Sequence, residues 1–169
     1  MAQKITPCLW FDKQAEEAIT YYVKVFNEAP HSRKNSKVNF IQRYEKGIET
    51  PGAAEMEGKV LTAELELDGQ RFLALDGGPI FKFNEAISLL VDCRDQEEVD
   101  YFWSKLSAVK ESEQCGWCKD KFGLSWQIIP TRMGELLSDP SREKAHRVAN
   151  AMLQMHKIVI KDLEEAYKR

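Results

Sequence analysis

Few side chains in this sequence could carry chemistry by type and spacing. Cys115 and Cys118 form a Cys-x-x-Cys, the spacing of a redox dithiol or of half a zinc site. A reactive pair of that kind relies on a helix N-terminus to lower a thiol pKa. Gln114 to Lys119 reads instead as a strand before a turn, where alternate side chains point to opposite faces. Zinc would need a second ligand pair, and Cys8 and Cys93 stand alone. The expectation is a set of free thiols, buried or lining a pocket. His31 falls in a connecting segment, and His146 and His156 in a C-terminal helical stretch, so no histidine lies on a predicted strand. Asp76 ends an apolar run and precedes Gly77 and Gly78; it is read either as a site carboxylate or as a turn residue accepting from the two glycine N–H groups. No Gly-rich loop joins a strand to a helix in the way that cradles a nucleotide-like cofactor.

The elements that must position these groups belong to an ordinary globular chain. At 169 residues there is room for one domain, or for two small repeats sharing a core. Apolar residues at 43% and charged residues at 30% exclude disordered and low-complexity classes. The 24 basic and 27 acidic residues leave a net charge of −3, with no broad basic field to neutralise phosphates or anionic lipid, so no nucleic-acid or membrane partner is expected. The opening MAQKITPCLWF lacks the basic and apolar regions of a secretory signal, and no stretch approaches the roughly 18 apolar residues of a span. Four cysteines are too few for a disulfide framework. A cytoplasmic location is the expectation.

Along the chain, Ile5 to Phe11 reads as a strand ending at Asp12, the expected N-cap of a helix over Gln14 to Phe26, whose Ala15, Ala18, Ile19, Tyr22 and Phe26 share one face. Three strands follow: Lys37 to Tyr44, Lys59 to Leu67 after a Gly- and Glu-rich loop expected to be mobile from Glu45 to Gly58, and Gln70 to Leu75 after an Asp68-Gly69 hairpin turn. The pattern then restarts. Ala86 to Val91 reads as a strand, and Asp95 with Glu98 as a capping box before a helix bearing Val99, Phe102, Trp103 and Leu106. Glu16-Glu17-Ala18 aligns with Glu97-Glu98-Val99, and Tyr21-Tyr22 with Phe102-Trp103, at one constant offset, which indicates an internal repeat. A hairpin around Asp120 to Gly123 joins Gln114–Lys119 to Leu124–Ile129, and the second copy looks shorter. Asp139 and Pro140 are read as an N-cap and first helical residue of a helical tail with a break near Lys157. The expected organisation is one domain: repeat one about 4–78, repeat two about 84–130 and the tail about 139–168.

Several stretches carry a family likeness: Cys8-Leu9-Trp10-Phe11, Leu67-Asp68-Gly69-Gln70, Ala74-Leu75-Asp76-Gly77-Gly78-Pro79, Cys115-Gly116-Trp117, Ser125-Trp126-Gln127-Ile128 and the terminal Ala151-Met152-Leu153-Gln154-Met155. With the duplicated topology they resemble the PhnB-like branch of the vicinal oxygen chelate superfamily, the glyoxalase, bleomycin-resistance and dioxygenase fold, often labelled demethylubiquinone 3-methyltransferase-like. The resemblance implies an α+β fold of two strand-helix-strand-strand-strand repeats curling a mixed sheet into a cup, plus C-terminal helices, commonly in a homodimer. Metal-dependent members hold a divalent ion on His, Glu, Gln or Asp from both repeats. Here the superfamily's last-strand Glu corresponds to Gln127, a weak neutral donor, and Asp76 stands where the branch more often shows Asn. Two weak donors fall short of the usual three protein ligands, so no metal and no cofactor are expected.

With Gln127 facing the cup as the resemblance implies, alternation brings Ser125 with it and sends Trp126 under a helix. In the first strand Thr6, Cys8 and Trp10 share a face opposite the more apolar Ile5, Leu9 and Phe11. The ligand-binding candidates are therefore Cys8, Trp10, Asp76, Trp117, Ser125 and Gln127, in a mostly apolar concavity with a few polar groups. Phe81 to Glu85 links the repeats, flanking the cup or resting on a dimer mate. Four readings follow: a small-molecule binding protein or metal-independent enzyme, a metal-dependent lyase, isomerase or dioxygenase, a methyltransferase as the label suggests, and an interaction protein acting through its tail.

Overall fold

The structure is a computed structural model and describes residues 3–47 and 53–169. These fall into two compact units, Met1–Phe83 and Asn84–Arg169.

In the first unit the strands and helices are β1 (Cys8–Phe11), α1 (Ala15–Glu28), β2 (Lys37–Arg43), α2 (Ala53–Met56), β3 (Val60–Leu67) and β4 (Gln70–Asp76). The expected loop over 45–58 thus contains α2, and residues 48–52 lie outside the described ones. The sheet order is β1-β4-β3-β2, with β1 parallel to β4 and the other pairs antiparallel. The β3–β4 hairpin turns on Asp68 and Gly69, both at positive φ (45° and 88°), as a tight primed turn requires. Helix α1 buries Ala15, Ala18, Ile19, Tyr22 and Val25 against the sheet face carrying Leu9, Phe11, Ala63, Leu65, Phe72 and Ala74. Complete burial of a side chain such as Ile19 contributes about 1.5–3 kcal/mol.

Asp12 does not cap α1. Gln14 occupies that position with no side-chain bond, and the first helical N–H, of Ala15, donates to Asp76 Oδ1 at the end of β4 (2.8 Å). A carboxylate 61 residues away satisfies the helix end that a local residue was expected to satisfy.

The second unit repeats the plan. Strand β5 (Leu89–Cys93) and helix α3 (Gln96–Leu106) start 81 residues after β1 and α1. Then come a single 3₁₀ turn at Lys110–Ser112, β6 (Trp117–Lys119) and β7 (Ser125–Pro130) in the order β5-β7-β6. Again the first strand lies parallel beside the last. The fold is α+β with two mixed sheets, but the second repeat has three strands where the strand-helix-strand-strand-strand plan calls for four. Asp95 caps α3 as expected, its Oδ1 accepting from Glu98 N at 3.0 Å, while Glu98 Oε2 reaches back one residue past the cap and accepts from Arg94 N at 2.5 Å.

The helical tail starts earlier than expected. Helix α4 (Thr131–Leu137) follows β7 directly, before α5 (Arg142–Leu153) and α6 (Ile160–Lys168). The short α4 carries Gly134, which weakens a helical signal, so the sequence pattern hides it. Asp139 does not act as an N-cap either. Ser141 holds that place, while the Asp139 carboxylate accepts from Ser141 N (2.8 Å) and Tyr167 Oη (2.7 Å). The expected break near Lys157 lies between α5 and α6. Met133, Leu136, Val148, Ile158 and Leu163 form the small core of these helices.

Candidate functional site

Each sheet has one face under its own helix and one face that helix leaves free. In the first unit the β1–β4 register pairs Cys8 with Leu73 and Trp10 with Leu75, on the free face, and Leu9 with Ala74 and Phe11 with Asp76, on the covered one. Cys8 is exposed, and partial burial raises its thiol pKa above the ordinary value, so it is a neutral thiol near pH 7. Trp10 lies over Gly77 and donates from Nε1 to the Gly78 carbonyl (2.9 Å), with Phe81 edge-on at 5.0 Å. A Cβ on Gly77 would sit 2.1 Å from the indole Cζ2, so only glycine admits this close approach.

Asp76 belongs to the opposite, helix-covered face. It is 1% exposed, and its two carboxylate oxygens accept from Ala15 N (2.8 Å) and Val60 N (3.0 Å). Burial raises its pKa, opposed by those two backbone bonds. The glycine N–H groups expected to bind it donate elsewhere, Gly77 to the Phe11 carbonyl and Gly78 to that of Asp12. Asp76 therefore ties α1 and β3 to β4, and is not brought together with Cys8 and Trp10.

In the second unit Trp126, Ile128 and Cys118 are buried on the α3 side. The Trp126 indole donates to the buried Asp120 carboxylate (2.8 Å), which also accepts from Phe122 N and Leu124 N and so shapes the Asp-x-x-Gly turn. The free face carries three rows set by strand register. Lys119 stands beside Ser125, Trp117 beside Gln127 beside Leu90, and Ile129 beside Asp92. Three of the expected site residues, Trp117, Ser125 and Gln127, are thus neighbours. Gln127 Nε2 donates to Ser88 Oγ (2.8 Å). Ser125 is 1% exposed and its hydroxyl has no hydrogen-bond partner among the described residues. Leu90 is 51% exposed, an apolar surface beside the amide.

Sequence reasoning missed Lys119, Leu90 and Ser88. Alternation from Trp117 would have placed Lys119 on this face, and alternation from Ser88 would have placed Leu90 there, but a lysine and a leucine each read first as ordinary surface and core.

The cysteine pair is split by the strand. Cys118 lies on the α3 side with its thiol pushed up to about 12 by burial, whereas Cys115 sits in a turn at φ 51° with its N–H bonded to the Met155 carbonyl. All four cysteines are free. His156 lies between α5 and α6 rather than in a helix, its Nδ1 2.7 Å from the Glu113 carbonyl. Among the described residues no three His, Cys, Asp or Glu side chains converge as a metal site would need. No described helix is long and apolar enough to cross a membrane.

Comparison with known proteins places this geometry in a family. The sequence model described as 3-demethylubiquinone-9 3-methyltransferase matches residues 3–129. The match stops short of Ala151–Met155, where the likeness was expected to continue, and leaves out α4 to α6. A solved PhnB protein from Bacillus cereus, provisionally named a 3-demethylubiquinone-9 3-methyltransferase, is 33% identical, covering 76% of this chain and 100% of its own, with a TM-score of 0.60. A Pseudomonas aeruginosa protein at 16% identity, 76% and 98% coverage and a TM-score of 0.57 shares the fold. No curated protein matches. The chain belongs to the PhnB-like, 3-demethylubiquinone-9 3-methyltransferase family of glyoxalase-like fold.

Proposed function

We propose that this PhnB-like protein binds a small molecule on the free face of the β5-β7-β6 sheet, without a resident metal, as a binding protein or a metal-independent enzyme. The observation that carries the reading is one patch on adjacent strands holding an aromatic ring (Trp117), an exposed aliphatic side chain (Leu90), an amide (Gln127) and a buried hydroxyl with no partner among the described residues (Ser125). Apolar surface with a few convergent polar groups is the usual make-up of such sites. Cys8 and Trp10, on the free face of the first sheet, stay candidate ligand contacts within the first unit. The metal-dependent alternative called on Gln127 and Asp76 as partial ligands. Both Asp76 oxygens are used by buried backbone N–H groups, which supports the metal-free reading. A homodimer is part of the proposal, supported by the exposed apolar side chains Ile80, Phe81 and Ile87. The family description favours methyl transfer as a second reading.

Native mass spectrometry of the full chain, first as purified and then offered a library of small molecules including S-adenosylmethionine, tests the proposal. The expected result is a retained small molecule whose affinity falls about tenfold or more in Gln127→Ala and Trp117→Ala. Binding of S-adenosylmethionine alone would favour the second reading. Retention unaffected by either substitution contradicts the site.

A further inference from the structure

The same face holds an ion pair that the reading above does not use. Glu85, in the segment leading to β5, pairs with Lys119 of β6. Three residues on, Ser88 accepts from Gln127 of β7. Strands β5 and β6 flank β7, so they lie about 10 Å apart, the reach of three extended residues. The 85–88 segment is therefore tied to β6 through Glu85 and to β7 through Ser88, and Lys119 stands beside Ser125 at the N-terminal end of β7. Lys119 is a cation only 21% exposed, and Ser125 is 1% exposed with a hydroxyl that has no hydrogen-bond partner among the described residues. Glu85, by contrast, is 60% exposed, so its carboxylate reaches in from solvent.

Resting on the small-molecule reading, we propose that the Glu85 carboxylate is an internal stand-in for the carboxylate of the ligand, a small organic acid with an apolar body. The ligand carboxylate displaces Glu85 from Lys119 and takes a hydrogen bond from the Ser125 hydroxyl. Its body lies along the next row, over Leu90 and Trp117, which stand to either side of Gln127. A buried hydroxyl without a partner is costly, and an arriving acceptor removes that cost. Displacing Glu85 is cheap, because a pair with one solvent-facing partner is weakly held. The displaced glutamate returns to water, and the 85–88 segment loosens its hold on β6 while Ser88 keeps its bond to Gln127.

Benzoate, a carboxylate on an apolar ring, and benzyl alcohol, its uncharged counterpart, serve as probes in NMR titrations of the full chain. Glu85→Gln is expected to tighten benzoate about two- to fivefold by removing the competitor. Adding Lys119→Gln to that background is expected to weaken benzoate about tenfold or more, and Lys119→Arg to restore most of it. Benzyl alcohol should respond to neither change. Benzoate affinity unchanged or weakened in Glu85→Gln, or retained in the double variant, overturns the inference. If both probes perturb Trp117 and Leu90 equally and independently of Lys119, the carboxylate inference fails while the small-molecule reading stands. If neither perturbs that face, both fall.

Discussion

At the scale of the residue, Asp76 shows how a side chain of catalytic type can be wholly structural. Its carboxylate satisfies two buried N–H groups, one at the start of α1 and one at the start of β3, and Tyr44 Oη donates to its backbone carbonyl at 3.1 Å. Replacing Asp76 with Ala orphans both N–H groups and should cost about 2–4 kcal/mol in chemical denaturation. Asp76→Asn, which keeps one acceptor, should cost less. The pH dependence has a definite sign. Burial raises the folded-state pKa above the unfolded one, so the native chain binds the Asp76 proton more tightly. The stability of the wild type relative to Asp76→Asn should therefore rise as pH falls from neutral toward about pH 4, and a relative fall over that range contradicts the assignment. The sequence held a signal for this placement. Asp76 is two residues from Ala74 and four from Phe72, both buried on the α1 side, so alternation sends it there too. The likeness to metal-binding relatives drew it instead toward the site. Cys8 and Trp10 were placed correctly on one face because Leu9 and Phe11 are more apolar and claim the helix.

At the scale of the element, the duplicated strand and helix were legible because acidic first turns and apolar faces recur at one offset, and β5 and α3 start at that offset from β1 and α1. The shorter second copy was legible too, as a single hairpin after the helix; what the pattern could not show is the 3₁₀ turn at Lys110–Ser112 or the start of the tail at Thr131. Tail and sheet are joined by backbone contacts that no periodicity encodes. Cys115 N donates to Met155 O and Gly116 N to His156 O, both at 2.8 Å, and the Gln96 side-chain amide bonds to both Ile158 O and Ile160 N. Gly116 is required there: its φ is +86°, and a Cβ would stand 3.1 Å from the Ile128 carbonyl oxygen. The α4–α6 helices are thus part of the second unit's own packing, although the family match ends before them. Leu163→Ala, which empties a fully buried position among Met133, Leu136, Val148 and Ile158, should destabilise this unit by about 2–5 kcal/mol by thermal or urea melting. A change below about 1 kcal/mol would show that α6 is not packed as described.

At the scale of the whole molecule, two related units present free sheet faces of different character. The first carries Cys8 and Trp10, the latter already committed to the Gly78 carbonyl and to Phe81. On the second, a hydroxyl without a hydrogen-bond partner among the described residues, an amide and a cation stand beside exposed apolar surface, which is why the proposed ligand site lies there. The proposed recognition needs no ion. The most direct measurement is an NMR chemical-shift map of the full chain, stripped of divalent ions with a chelator and titrated with benzoate and with any compound that native mass spectrometry finds retained. Shifts centred on Trp117, Ser125 and Gln127, the same before and after a divalent ion is added back, are the expected result. Binding that appears only with the ion, or shifts that leave those three residues unmoved, would contradict it.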